Sequence, residues 1–454
     1  MALVTLVLLQ MFVVAAGAHL LTSNLLDEKK KPEPVASAGP PPVPVVTAGP
    51  VLAAGGNGPL PAKGTLAGRL TAALGDPALG DSVGGVVLDA ETGATLFDGG
   101  AATAITPAST TKVVTSVAAL ASLGPDARLS TRVVRGASPG SIILVGGGDP
   151  TLAGPGARTD QVYPRPASLT VLASRTAKAL KAAGLTKVTA AYDDTLYTGP
   201  RTASTWKPGY VPEGSVAPVT ALMINSGKVS PGGHSRVSDP SRTAYVAFVS
   251  LLRKYGISVS GSAARAKAPA GAQEIARVDS APVYALVERA LTLSDNDLSE
   301  ALARQVALKE GEPASFDGGA AAVGKVLSRL GAASGITVHD GSGLSPKNRI
   351  TPQALAHLVA VAASPANPRL HPAISGMPVA GFTGTLGHRF GRSHSAYGLV
   401  RAKTGTLDGV SALAGTTTTR GGRLVTFAFM ADDVPSGPQA EAALDRLAAL
   451  VAAG

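Results

Sequence analysis

The 454-residue chain contains no cysteine. That excludes disulfides, cysteine–zinc centres and a thiolate nucleophile together. Aromatic residues are scarce at 4% against 45% apolar residues, so any core must be built from Ala, Val and Leu. None of the seven histidines forms a His-x-x-x-His pair, and neither a metal nor another cofactor is expected. Forty basic against 30 acidic residues leave a formal charge of +10. The basic residues are scattered and not interleaved with aromatics. That pattern argues against nucleic acid and for an anionic cell surface or wall as the neighbour.

Charge is missing altogether from residues 1–26, where Ala2–Ala18 is nearly all apolar. Such a run reads as an export signal or a membrane anchor. Ala16-Gly17-Ala18 resembles a small-residue cleavage site, but Lys29-Lys30-Lys31 follow the apolar run and no basic residue precedes it. Either way the body of the protein is expected outside the cytoplasm. Residues 27–62, with Pro40-Pro41-Pro42-Val43-Pro44, read as a disordered spacer.

What is present begins near residue 63. Leu66–Leu74 reads as a helix, and Val83–Leu88 and Ala94–Phe97 as a hairpin. Pro107 and Ser109 open a buried helix that ends near Gly124. On that helix the Ser109 hydroxyl and the Lys112 amine, three residues apart, share a face. Burial favours the neutral form of such a lysine, and a neutral amine beside a hydroxyl is a nucleophile with its base attached. Gly146-Gly147-Gly148-Asp149-Pro150 lacks the Lys-Ser/Thr of a phosphate loop and reads as a tight turn.

Residues 150–270 differ in texture, with long Gly/Pro/Ser-rich stretches, and read as an inserted accessory domain. The catalytic domain is expected in two parts, 63–149 and 271–454. In the second part, Ser294-Asp295-Asn296 forms a polar loop between apolar helices, where side chains can project into a cleft. Three strands and an amphipathic helix end the chain, placing Lys403-Thr404-Gly405-Thr406 on an edge-type strand. Singly, each motif has a plainer explanation: Ser109 and Ser294 as helix caps, Asn296 as a turn residue, Lys403 as a solvated strand end.

Three motifs in this order and context carry more weight than any one of them. Ser109-x-x-Lys112, Ser294-Asp295-Asn296 and Lys403-Thr404-Gly405 resemble the trio of penicillin-binding proteins. Together with Gly147–Leu152, Asp340-Gly341-Ser342-Gly343-Leu344-Ser345 and Gly384-Thr385-Leu386, they resemble the D-alanyl-D-alanine carboxypeptidase/endopeptidase family with accessory domains. The 181 residues between Lys112 and Ser294 exceed the needs of a simple β-lactamase, yet are short for two full accessory domains.

The resemblance implies an α/β (α+β) fold, an antiparallel sheet flanked by helices, of the serine β-lactamase/penicillin-binding-protein type. It implies peptidoglycan stem peptides as substrate and β-lactam antibiotics as covalent inhibitors, with no nucleic acid and no cofactor. It further implies Ser109 as nucleophile, Lys112 as its base and Ser294 as proton relay. Asn296, Lys403, Thr404, Gly405 and Thr406 would bind substrate. Which lysine is the working base stays open, as does the balance of carboxypeptidase and endopeptidase action. A β-lactamase or esterase would share the first motif, but no Glu-x-x-x-Asn stretch stands out to activate a deacylating water. A non-catalytic wall-binding protein would show erosion of a motif, and none is eroded.

Overall fold

A computed structural model describes residues 58–59 and 63–454, except 231 and 392. The expected signal or anchor and nearly all of the spacer lie outside the described residues. Helix α1 (Lys63–Leu74) leads into the hairpin β1 (Ser82–Asp89) and β2 (Thr95–Gly99), and α2 (Thr111–Leu123) follows. Next come β3 (Ser130–Arg135), β4 (Ser141–Val145), α3 (Leu169–Ala182), β5 (Lys187–Asp193), α4 (Pro240–Lys254), β6 (Ser258–Arg265) and β7 (Glu274–Asp279). A helical stretch contains α5 (Val283–Thr292), α6 (Asn296–Lys309) and α7 (Phe316–Arg329). The two-residue strands β8 (Ile336–Thr337) and β9 (Arg349–Ile350) precede α8 (Pro352–Ala363) and the single turn α9 (Pro372–Ser375). The chain closes with β10 (Arg401–Leu407), β11 (Val410–Thr418), β12 (Leu424–Asp432) and α10 (Gly437–Ala452).

The first sheet has the order β10-β11-β12-β1-β2, antiparallel throughout. Its faces follow the two-residue period of a strand. Ala412, Ala414, Ala428 and Met430 face α8 and belong to the core that α2, α5, α6 and α7 complete. Leu413, Phe427 and Phe429 face the other way, onto α1 and α10. Because both faces are covered, β11 and β12 are buried almost end to end, and neither shows the alternation of apolar and polar residues of a strand with one wet face. Alanine dominates the α2 side, which lets that helix and the sheet approach closely.

The second sheet, β6-β5-β4-β3-β7, is mixed. β4, β5 and β6 run parallel, joined through α3 and α4, while β3 pairs antiparallel with β4 and β7. This moves the expected domain border. Ser130–Arg135 and Ser141–Val145, assigned from sequence to the catalytic part, are central strands here, and Glu274–Asp279 is its edge. The inserted module therefore spans about 130–279 rather than 150–270. Short strands such as β7 carry too little pattern to reveal which sheet they join.

Nor does the module sit wholly beside the catalytic part. The connection from β5 to α4 runs over the catalytic helices and packs Trp206, Tyr210 and Val216 with Phe316 and Leu344.

Candidate active site

Ser109 does not lie on the α-helix itself. It sits in a 3₁₀ turn, Ala108–Thr110, immediately before α2. No side chain caps this helix start, so the capping explanation of Ser109 fails. Ala108 is held in the left-handed region at φ 45°, an uncommon conformation for a residue with a Cβ. Two glycines allow the turn to be pressed in from either side. A Cβ on Gly343 would lie 1.9 Å from the Ala108 carbonyl oxygen, and one on Gly405 would lie 2.5 Å from that of Pro107. The Asp340–Ser345 loop and β10 thus grip the turn that carries Ser109.

Lys112 is fully buried. Its Nζ lies 2.9 Å from Ser109 Oγ, 2.7 Å from Asn296 Oδ1 and 2.5 Å from the Ser342 carbonyl oxygen. As an amine it donates two protons, to Asn296 and Ser342, and presents its lone pair to the Ser109 hydroxyl. Burial pushes its pKa down to about 8, against the pull of the carboxylates Asp340, Glu300, Asp295 and Asp297. Desolvation of the ammonium outweighs four carboxylates because none of them touches the amine.

Those acceptors are themselves held. Asn296 opens α6, and its Nδ2 donates to the Ser215 carbonyl of the inserted module at 2.8 Å. Asp295 caps α6 by accepting from the Leu298 N–H, so Ser294 is not the cap. Glu300, one turn after Asn296, is buried and accepts from the Gly341 and Ser342 N–H groups at 3.0 and 2.8 Å. Burial raises its pKa to about 7, with Arg304 beside it at 3.2 Å. Asp340 gathers Trp206 Nε1, the Gly343 and Ser345 N–H groups and Asn348 Nδ2. Together these bonds aim the Ser342 carbonyl at Lys112.

Ser294 is half-buried and left-handed, at φ 54°. Its hydroxyl has no partner among the described residues. Lys403 is fully buried and donates to the Thr404 carbonyl at 2.8 Å. Burial holds its pKa well below the usual lysine range, and the Lys112 charge adds to this. Strand alternation puts Lys403 and Gly405 on the face toward Ser109, with Thr404 and Thr406 on the other. The Thr404 hydroxyl meets that of Thr385 at 2.8 Å, while the Thr406 hydroxyl donates to Glu441 of α10 at 3.0 Å.

The structure therefore brings Ser109, Lys112 and Asn296 into direct contact and Lys403 into their field. It leaves Ser294 outside that hydrogen-bonded set. Glu300, Trp206, Ser215 and Glu441 were not singled out from sequence as site residues, and Ser342 entered only within the Asp340–Ser345 motif. Glu300 carried a signal, standing four residues after Asn296 on one helix face. The Ser215 and Ser342 carbonyls carried none, because any residue has a carbonyl.

The sequence profile of the D-Ala-D-Ala carboxypeptidase 3 (S13) family matches residues 66–235 and 232–451. A carboxypeptidase DacB of Mycolicibacterium smegmatis is 36% identical over 449 residues, covering 96% of this chain and 93% of that protein. A D-alanyl-D-alanine carboxypeptidase of Actinomadura sp. is 27% identical over 431 residues, with 76% of this chain and 77% of that protein covered. The crystal structure of penicillin binding protein 4 from Haemophilus influenzae superposes with a TM-score of 0.69 at 22% identity, over 84% of this chain and 98% of that one. On fold and sequence alike, this chain belongs to the D-Ala-D-Ala carboxypeptidase 3 (S13) family.

Proposed function

We propose that the protein is a serine-type D-Ala-D-Ala carboxypeptidase of peptidoglycan stem peptides, working through an acyl-enzyme on Ser109 and acylated there by β-lactams. The observation that carries this reading is the environment of Lys112. Its amine is buried, has a pKa near 8, is fixed by two acceptors and directs its remaining valence at the Ser109 hydroxyl.

In this reading Ser109 Oγ attacks the carbonyl carbon of the penultimate D-alanine while its proton passes to Lys112 Nζ. The Ser109 and Thr406 N–H groups stabilise the oxyanion, a contribution of a few kcal/mol to the barrier, roughly. Collapse of the tetrahedral species breaks the amide bond. The departing amine takes its proton from Lys112, relayed by the Ser294 hydroxyl, whose freedom from other partners leaves it able to turn. Water then hydrolyses the ester, again with Lys112 as base, and Ser109 is restored.

Asn296 orients Lys112 and faces the substrate amide. Lys403 supplies the positive field for the terminal carboxylate, and Thr404, Gly405 and Thr406 of the same edge strand border it, the two threonine hydroxyls lying on the other face. The same geometry serves a D,D-endopeptidase, whose leaving amine belongs to a cross-linked stem. The apolar residues 1–26 support export, with a membrane anchor or the wall as the final place.

Release of D-alanine from a soluble pentapeptide tests the reading, alongside labelling by a fluorescent penicillin. Turnover and labelling that both vanish in Ser109→Ala support it. Labelling without turnover of any D-Ala-D-Ala peptide would reduce the protein to a penicillin-recognising wall component.

A further inference from the structure

The inserted module carries a feature that catalysis does not use. A cleft of about 720 Å³ lies where the second sheet meets the catalytic helices. Its lining includes Arg128, Arg132, Lys267 and Arg277, with Asp193 as the one acidic residue. Both oxygens of Asp193 are already occupied, by the Thr195 N–H and hydroxyl and by the Ala268 N–H. Arg277 is paired with Asp279 at 2.8 Å. Arg132 and Lys267 have no carboxylate partner within ion-pair distance among the described residues.

The register makes this more than a scatter of surface charge. Arg132 and Arg277 stand directly opposite each other on the paired strands β3 and β7. Like charges in that position destabilise a sheet. The Gly146-Gly147-Gly148 turn borders the same cleft. Gly147 has no room for a side chain, since a Cβ would lie 1.9 Å from the Ser130 carbonyl oxygen. Its N–H has no acceptor among the described residues, which leaves a backbone donor beside the cations. Arg132 and Lys267, with Arg277 opposite, Arg128 alongside and the Gly147 N–H, form a site suited to tetrahedral oxyanions.

We propose that this cleft binds a phosphodiester-linked polyanion, anchoring the enzyme on an anionic polymer away from the catalytic serine. Several cations spread along an open cleft fit repeated charges better than a single one. The positive balance of the whole chain, +10, acts in the same sense by steering.

The test is binding of a glycerol-phosphate oligomer to the purified full chain across a salt series, in wild type, Arg132→Glu and Lys267→Glu. Saturable binding that weakens steeply with salt is expected, with a loss of about tenfold in each variant. Hydrolysis of a soluble pentapeptide should be unchanged, since neither residue belongs to the catalytic site. Arg132→Glu should also raise Tm, because a repelling cross-strand pair becomes an attracting one. Equal oligomer binding by all three proteins would overturn the proposal. So would inorganic phosphate binding as tightly as the oligomer at equal phosphate concentration, which would mean a single-anion site.

Discussion

The two five-stranded sheets solve different problems. The catalytic sheet is antiparallel and covered by helices on both faces, so its edge strand β10 is a rigid rail. The module's sheet is covered mainly on one face, by α3 and α4, and its outer strand β6 is exposed over most of its length. A doubly buried sheet fixes positions to the precision that bond-making requires. The module's second face buries only Val134, Ile143 and Val145 beneath Ala268 and Ala272, and leaves Arg132 and Arg277 at the cleft. Yet the module also sends its β5–α4 connection into the catalytic cleft, where Ser215 holds Asn296 and Trp206 holds Asp340. The division of labour between the sheets is therefore sharp, while the division of the active site is not.

Four measurements would break or sharpen that contrast. The largest effect belongs to Ser109→Ala, which should abolish covalent penicillin labelling while the fold stays intact, because among the described residues its hydroxyl bonds only to Lys112. Mass-spectrometric mapping of an adduct to another serine would contradict the assignment. Glu300→Ala comes next, leaving the buried Arg304 charge without its carboxylate and two buried backbone N–H groups without an acceptor. It should cost about 3–5 kcal/mol by thermal unfolding and slow acylation strongly. Glu300→Gln keeps an acceptor and should lose less of both.

The pH profile follows from Lys112. Acylation needs the neutral amine, so the penicillin acylation rate should climb about tenfold per pH unit from pH 6 and level off near 8. The stability sign agrees. A lysine with a folded pKa near 8 and an unfolded value near 10.5 binds fewer protons when folded between those values, so this residue's contribution to stability rises with pH across that window. A limb that disappears in Lys403→Ala would move the basic role to Lys403.

The smallest expected effect tests the module's reach. Trp206→Phe keeps most of the apolar contact but loses the bond to Asp340, costing about 1–2 kcal/mol and lowering kcat/KM modestly. The neighbouring Lys207→Ala removes only the exposed pair with Asp408 and should leave both Tm and kcat/KM unchanged. Equal behaviour of the two variants would mean that the connection is a passive cover.

Much of the catalytic part was legible in the sequence. The helix after Ser109, the three closing strands and the last helix stand close to where periodicity and turn residues placed them, since long apolar runs bounded by glycine leave few alternatives. The module was legible as an insertion but not at its borders, because β3 and β4 look alike whether they join one sheet or the other. The fold family could be read from three short motifs, each tied to side-chain identity.

Side-chain identity and local period are properties that a sequence states directly, and they determined the fold class, the motifs and the order of the main elements. The tertiary structure decided what no local pattern encodes. It took Ser109 off the helix into a strained turn, made the Ser342 and Ser215 carbonyls part of the site, and turned Thr406 toward Glu441 rather than beside Lys403. It also lowered the pKa of Lys112, because that shift depends on how much water the surrounding helices exclude. Backbone acceptors, burial and strand faces arise only when distant segments meet, so they belong to the fold and not to any stretch of the chain.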